Sequence, residues 1–185
     1  MEKFAAEKKL FHEINAAAQP GGIVLVGSGT VAHLPLTELA QDCMMETPVY
    51  NRSIDGLTVE AAGKMLDECV MELKPAKVIF ALGAEEAQRE DFNLKEFIDQ
   101  YEWLLYTVNS QMRCRIYVAS VLSDAPDVRE MNAALKKLAQ STGCQFVDMA
   151  AGKGCDRPML KAFDILRSNV RERPITFMEA MNSAF

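Results

Sequence analysis

The sequence has 185 residues, of which 49% are hydrophobic and 25% are charged, and its formal net charge is -6. This length and balance favour one globular domain, residues 1–185, that is large enough to bury a substantial core. The acidic excess argues against nucleic acid as a partner, because nucleic-acid binding draws on clustered Lys and Arg. With neither a signal-peptide core nor an apolar run of the roughly 20 residues that a membrane span needs, we expect a cytoplasmic protein without a membrane partner.

Metal and disulfide chemistry have little support in this sequence. The five cysteines are odd in number and scattered, without a CxxC pair. Only His12 and His33 could act as imidazole ligands or bases. We therefore expect no metal, no cofactor and no disulfide framework.

The chain begins with a predicted helix. Residues 2–18 place apolar side chains at helical spacing and stop at a Pro-Gly-Gly turn, so an additional amphipathic helix within residues 1–19 should lie on the domain. Five short segments rich in β-branched or aromatic residues then predict buried parallel strands at 23–26, 49–51, 78–82, 116–120 and 145–147. Helical periodicity between these strands predicts helices at 36–41, 59–73, 94–112 and 128–141.

This alternation of strands and helices predicts right-handed βαβ crossovers. The expected architecture is a three-layer α/β/α sandwich, in which helices cover both faces of a parallel sheet of about five strands. Ligands of such sheets usually bind at the carboxyl ends of the strands. After Asp148 the regularity weakens, and the sequence predicts a loop at 150–156, a helix at 159–170 and a terminal helix at 174–182.

A glycine loop follows the first predicted strand and allows two interpretations. The pattern Gly27-x-Gly29-x-x-Ala32 fits the G-x-G-x-x-G/A fingerprint, in which glycines let the backbone approach the pyrophosphate of a dinucleotide. A dinucleotide site also expects an acidic residue at the end of the second strand, where this chain has Arg52. Arg52 could favour a 2'-phosphate, so dinucleotide binding stays as one alternative.

The second interpretation rests on an ordered series of segments. VYNRSIDGLT, residues 49–58, resembles the second motif of SGNH (GDSL-type) hydrolases, and KPAKVIFALGAEEA, residues 74–87, resembles the third. PGGIVLVG before the first loop, RIYVASVLSDAP and MNAALKKLAQSTGCQFVDM resemble other strands and the penultimate helix of that family. The resemblance spans residues 19–149 in the family's order. It implies the flavodoxin-like fold of SGNH hydrolases and a pocket for an acyl or ester group.

Catalysis in that family uses a serine activated by a histidine, an aspartate three residues before that histidine, and donors that stabilise the oxyanion. Aligned on Gly27, the resemblance puts Ser28 at the family's Asp position and Gly29 at the position of the nucleophile. In the second motif Gly56 matches the glycine whose N–H lines the oxyanion hole, and Ser53 replaces a glycine.

The third motif departs further from the family pattern. Gly83 is kept, whereas the next three positions, Thr, Asn and Asp in the family, are Ala84, Glu85 and Glu86. A carboxylate at position 85 would repel an oxyanion instead of donating a hydrogen bond to it. The polar run continues through residues 88–91, which is typical of a solvated loop, so we expect both glutamates to be solvated.

The C-terminal segment, residues 150–185, diverges from the family. No histidine follows His33, and the nearest register puts Arg173 and Thr176 at the family's Asp-x-x-His positions. The Ser, Asn and His of catalysis are thus absent from their expected places. A displaced Ser28–His33 pair is conceivable, but the simpler expectation is that Ser28 hydrogen-bonds locally in its turn and His33 is a partly exposed loop residue.

The leading hypothesis is a degenerate SGNH-type protein that has lost ester hydrolysis and keeps a pocket for a small acyl-like ligand or a partner. The residues expected to line that pocket are Ser28, Gly29, Ser53, Gly56, Gly83 and Glu85. The main alternative is an active esterase or acylhydrolase with a rearranged catalytic set of Ser28, His33 and Glu85. The sequence also leaves a homo-oligomer open.

Overall fold

The computed structural model describes residues 4–149, 154 and 156–170. In this part of the chain, five parallel strands form one sheet in the order β2-β1-β3-β4-β5. The strands are β1 (Ile23–Gly27), β2 (Val49–Asn51), β3 (Lys77–Ala81), β4 (Arg115–Ala119) and β5 (Gln145–Val147). The helices are α1 (Ala5–Asn15), α2 (Leu36–Asp42), α3 (Val59–Lys64), α4 (Leu66–Cys69), α5 (Leu94–Gln111), α6 (Val128–Ser141) and α7 (Pro158–Val170). Short 3-10 helices cover Gly29–Val31, Met71–Leu73 and Glu86–Gln88.

Helices cover both faces of the sheet, which explains why the middle residues of β1, β3 and β4 are apolar. Successive side chains of a strand point to opposite faces. In β1, Val24 and Val26 pack on the layer that contains α1, α3, α4, α5 and α6, whereas Ile23 and Leu25 pack on α2 and α7. All five residues of β1 are buried. The predicted three-layer α/β/α sandwich is therefore confirmed.

The predicted elements match the structure with one exception. The strands and the helices expected at 36–41, 94–112, 128–141 and 159–170 fall within one or two residues of their expected positions, and α1 ends at Asn15, three residues earlier than expected. The continuous helix expected at 59–73 is wrong, because the backbone leaves helical geometry at Met65 and again at Val70. Both side chains are fully buried, and Gly63, a poor helix former, precedes the first break. The terminal helix at 174–182 lies outside the described residues, as do most of the residues in the loop at 150–156.

The amphipathic helix α1 is bonded to the end of β2 through a buried arginine. Arg52 is 6% exposed and donates from Nε and Nη2 to Oδ1 of Asn15, at 3.1 and 2.8 Å. The Asn15 amide in turn donates to the Glu68 carbonyl and to the Glu72 carboxylate, at 2.7 and 2.8 Å. Burial lowers the pKa of the Arg52 guanidinium, which also lies 5.1 Å from the centre of the Phe11 ring. Asn15 thus satisfies a cation that the fold has taken out of water.

No helix within the described ranges is long and apolar enough to cross a membrane.

Replacing Asn15 by Ala should lower the free energy of unfolding by about 2 kcal/mol, because a buried guanidinium loses an acceptor. Urea denaturation of the full chain measures this loss. Glu13→Ala, an exposed change on the same helix, is the matched control and should stay within about 0.5 kcal/mol of the wild type. Equal effects of the two changes would contradict the role assigned to Asn15.

Candidate functional site

The loops after β1 and β3 lie side by side, because these strands are neighbours in the sheet. A Cβ at Gly27 would lie only 2.5 Å from the Ala81 carbonyl oxygen, so this close approach requires glycine. Beyond it, the Ser28 hydroxyl donates to Oε1 of Glu85 at 2.9 Å. Ser28 is 4% exposed. The expectation of a local hydrogen bond is therefore wrong, since the partner of Ser28 comes from the loop after β3.

Gly29, at the family's nucleophile position, has a left-handed backbone with φ of +60°. A Cβ built there would meet only the Ala84 Cβ, at the ordinary distance of 3.7 Å. Space for a side chain is therefore available, but a non-glycine residue would cost about 1–2 kcal/mol in this conformation. Gly29 therefore has no side-chain oxygen at the position of the family's nucleophile.

The loop after β2 is bonded to the end of β1. The Asn51 amide donates to the carbonyls of Val31 and Leu34, and its Oδ1 accepts from the backbone N of Ser53 at 3.0 Å. Ile54 donates from its backbone N to the Gly27 carbonyl at 2.9 Å. Sequence reasoning did not select Asn51, although a polar residue at the end of a buried strand was a usable signal.

The two histidines of the chain pair with carboxylates and not with Ser28. His33 Nε2 lies 2.7 Å from Oδ2 of Asp55, and both side chains are more than half exposed. His12 Nδ1 lies 2.7 Å from Oε1 of Glu72, against α1. Of the rearranged catalytic set of Ser28, His33 and Glu85, the structure therefore brings Ser28 and Glu85 together, whereas His33 contacts a different carboxylate.

Glu86 is buried behind the loop after β3, which corrects the expectation that it is solvated. The side chain is 5% exposed, and its Oε1 accepts from the backbone N of Val59 at 2.6 Å. Its Oε2 is buried and has no hydrogen-bond partner within the described part of the chain. Burial raises the pKa of the Glu86 carboxyl, and the hydrogen bond from Val59 and the charge of Arg89 partly offset this rise. Glu86 thus ties the third-motif loop to the start of α3.

Of the other expected pocket residues, two are glycines with a positive φ. Gly83 has φ of +115°, and a Cβ there would lie 2.7 Å from Cγ2 of Val121 and 3.0 Å from the Phe97 ring. It therefore faces the core and not a pocket. Gly56 has φ of +75° in the second-motif loop, and Ser53 beside it is half-buried.

Two neighbouring cavities lie at the carboxyl edge of the sheet. The inner one, about 20 Å³, lies beside Ser28 and Ser120 and has room for one water molecule. The outer one measures about 200 Å³, and its walls are Thr30, Leu122, Ser123, Asp124, Met149, Gly154, Pro158 and Ala162. Thr30, Leu122 and Met149 line both. Sequence reasoning missed these three residues, because they meet only when the loops after β1, β4 and β5 come together.

No cluster of three or more His, Cys, Asp or Glu side chains is arranged to hold a metal ion within residues 4–149, 154 and 156–170.

The burial of Glu86 predicts a pH-dependent effect of Glu86→Gln. Because the folded protein raises the pKa of this carboxyl above 4.5, the stability that it contributes is fully present below about pH 4.5 and is lost as pH rises through the folded pKa. Relative to the wild type, the free energy of unfolding of Glu86→Gln should therefore increase as pH rises from about 4.5 to 7. Urea denaturation across this range measures the shift.

Glu90→Gln, an exposed change in the same loop, is the control and should show a flat difference from the wild type. A difference for Glu86→Gln that is constant with pH, or that shifts in the opposite direction, would contradict the assignment.

Solved structures with the same architecture were found by comparison. A protein from Streptococcus pneumonia assigned as a platelet activating factor has a TM-score of 0.77 at 15% sequence identity, over 90% of this chain and 92% of that chain. A GDSL-like lipase from Bacteroides thetaiotaomicron has a TM-score of 0.70 at 18% sequence identity, over 96% of this chain and 98% of that chain. A catalytic mutant of an acetylxylan esterase from Geobacillus stearothermophilus has a TM-score of 0.67 at 16% sequence identity, over 83% of this chain and 98% of that chain.

No protein-family model matches the sequence, and no curated protein does either. The likeness is therefore one of three-dimensional structure at low sequence identity. It agrees with the resemblance carried by the motifs of residues 19–149 and with the parallel order of the strands. The chain has the fold of the SGNH, or GDSL-like, hydrolases.

Proposed function

We propose that this protein is a non-hydrolytic member of the SGNH hydrolases that binds a small acyl- or ester-like ligand at the carboxyl edge of its sheet. One observation carries the proposal. The nucleophile position is Gly29, and the nearby Ser28 hydroxyl donates to Glu85 instead of to an imidazole.

A serine becomes a nucleophile when a general base lies within about 2.6–3.2 Å of its hydroxyl and can take up its proton. The imidazoles of His12 and His33 instead lie on Glu72 and Asp55. The Glu85 carboxylate meets the distance requirement, but it brings negative charge to the place where an oxyanion would develop. The Glu85 carboxylate could therefore accept the proton of Ser28, but its negative charge would destabilise the transition state.

The outer cavity supports a ligand of acyl size. At about 200 Å³ it is smaller than the roughly 300–1,000 Å³ of pockets for drug-sized ligands. Leu122, Met149 and Ala162 offer apolar walls for a short chain, and the hydroxyls of Thr30 and Ser123 stand beside them. Proteins of this fold include an acetylxylan esterase and a GDSL-like lipase, which supports an acyl-bearing ligand.

The Ser28–Glu85 contact is also what favours the second candidate, an esterase with a rearranged catalytic set. Dinucleotide binding gains less support, because the Arg52 guanidinium that would recognise a 2'-phosphate is buried against Asn15.

Hydrolysis of p-nitrophenyl acetate tests the loss of catalysis. We expect the wild-type rate to equal that of Ser28→Ala and His33→Ala, because neither residue belongs to an assembled relay. Gly29→Ser should gain nothing, since it adds a hydroxyl without a base and strains the backbone. Wild-type turnover that falls in either Ala variant would overturn the proposal in favour of the rearranged esterase.

Saturation-transfer NMR with ethyl acetate tests the ligand site. The wild type should transfer saturation to the ester, and Leu122→Trp should abolish the transfer, because the larger side chain fills the outer cavity. Leu160→Trp, an exposed change on α7 outside that cavity, is the control and should leave the transfer unchanged. A wild type without transfer, or a Leu122→Trp variant that retains it, would count against the proposed site.

A further inference from the structure

A second and larger hollow lies between α3 and α5, on the outside of the helical layer. It measures about 560 Å³ and is lined by Val59, Glu60, Gly63, Lys64, Asn93, Lys95, Glu96, Asp99, Gln100 and Trp103. We call it the α3–α5 groove. It shares no lining residue with the cavities at the carboxyl edge, and its volume falls in the range of pockets that hold drug-sized ligands. It is therefore independent of the function proposed above.

One wall of the groove is an exposed indole. Trp103, the only tryptophan of the chain, is 57% exposed on α5. A Cβ at Gly63 would lie 2.9 Å from Cζ3 of this indole, so the ring lies directly on the backbone of α3. The absence of a side chain at position 63 thus lets the two helices hold the ring in place. Tryptophan is enriched at binding interfaces, because its ring offers a large apolar area together with a polar N–H.

The charges around the indole favour a cationic ligand. On α3, Lys64 is paired with Glu60 one turn earlier. On α5, the groove is lined by Glu96 and Asp99 against the single cation Lys95. The lining of the groove therefore holds one more carboxylate than ammonium groups, and the face of the indole attracts cations through its quadrupole. An anionic ligand would meet repulsion from the same carboxylates.

We propose that the α3–α5 groove binds a small organic cation with an aromatic body, such as an arylalkyl ammonium compound, whose charged group lies near Trp103, Glu96 and Asp99. The aromatic body fits the apolar part of the groove, and the ammonium group meets the indole and the carboxylates. Recognition of this kind depends on the charge and the ring together.

Titration of the intrinsic fluorescence tests this site directly, because Trp103 is the only indole. The probes are 2-phenylethylammonium, the neutral 2-phenylethanol and the anionic 3-phenylpropionate, which share one aromatic body. We expect the cation to bind about three- to fivefold more tightly than the alcohol, and the anion to bind most weakly. A cation that binds no better than the alcohol, or no saturable signal up to about 20 mM of it, would overturn the proposal.

Paired variants separate a specific site from general attraction to an acidic protein. Asp99→Asn should reduce the preference for the cation over the alcohol about twofold, because a lining carboxylate is lost. Glu102→Gln removes an exposed carboxylate of the same helix that does not line the groove, and should leave the preference unchanged. An equal loss of this preference in both variants would show that net charge alone causes it, and would refute the site.

Trp103→Leu, followed through the NMR signals of the ligand, should weaken binding of the cation about threefold or more. Unchanged binding would refute the role of the indole. Circular dichroism of each variant shows that it is folded.

Discussion

The close approach of β1 and β3 at the centre of the sheet is the constraint on which the other features depend. Both strands are covered on both faces, so apart from Lys77 at the start of β3 their residues are apolar until the strands end. At that point Gly27 lets the backbone pass within contact of Ala81, and the two following loops open side by side. The ends of these two strands thereby bring Ser28 and Glu85 together at the carboxyl edge of the sheet.

At this edge, several polar side chains have hydrogen-bond or ion-pair partners within the protein. Ser28 bonds to Glu85, His33 to Asp55, and Asn51 to the backbone of two turns. Catalytic groups in hydrolases are instead held ready for a substrate, with their reactive atoms directed into a pocket. The arrangement seen here supports a stable frame that surrounds a small cavity. Such a frame supports the proposal that the protein binds a ligand without reacting with it.

The fold could be predicted from the sequence because its signals are local. Segments such as 23–26 and 145–147 are short and apolar, and the helix at 128–141 has clear periodicity, so each identifies its own element. The partners within the site could not be predicted in this way. His33 meets Asp55, and Ser28 meets Glu85, only because loops distant in sequence converge. Glu86 was misjudged for a related reason: its polar neighbours in sequence are solvated, whereas its neighbours in space are the core and α3.

The link between Asn15 and Arg52 has a consequence for the limits of the folding unit. The resemblance to SGNH hydrolases begins at residue 19, which would make α1 an addition that can be removed. Arg52 lies inside the second-motif loop, however, and its charge is satisfied by an acceptor on α1. A fragment that begins at residue 19 would remove Asn15 Oδ1, which accepts from two nitrogens of the guanidinium, and would keep the bond from Nη1 to the Asn51 carbonyl. Helix α1 also contributes Phe11 to the cluster that contains Val24 and Val26, so a boundary drawn at residue 19 would cut through the core.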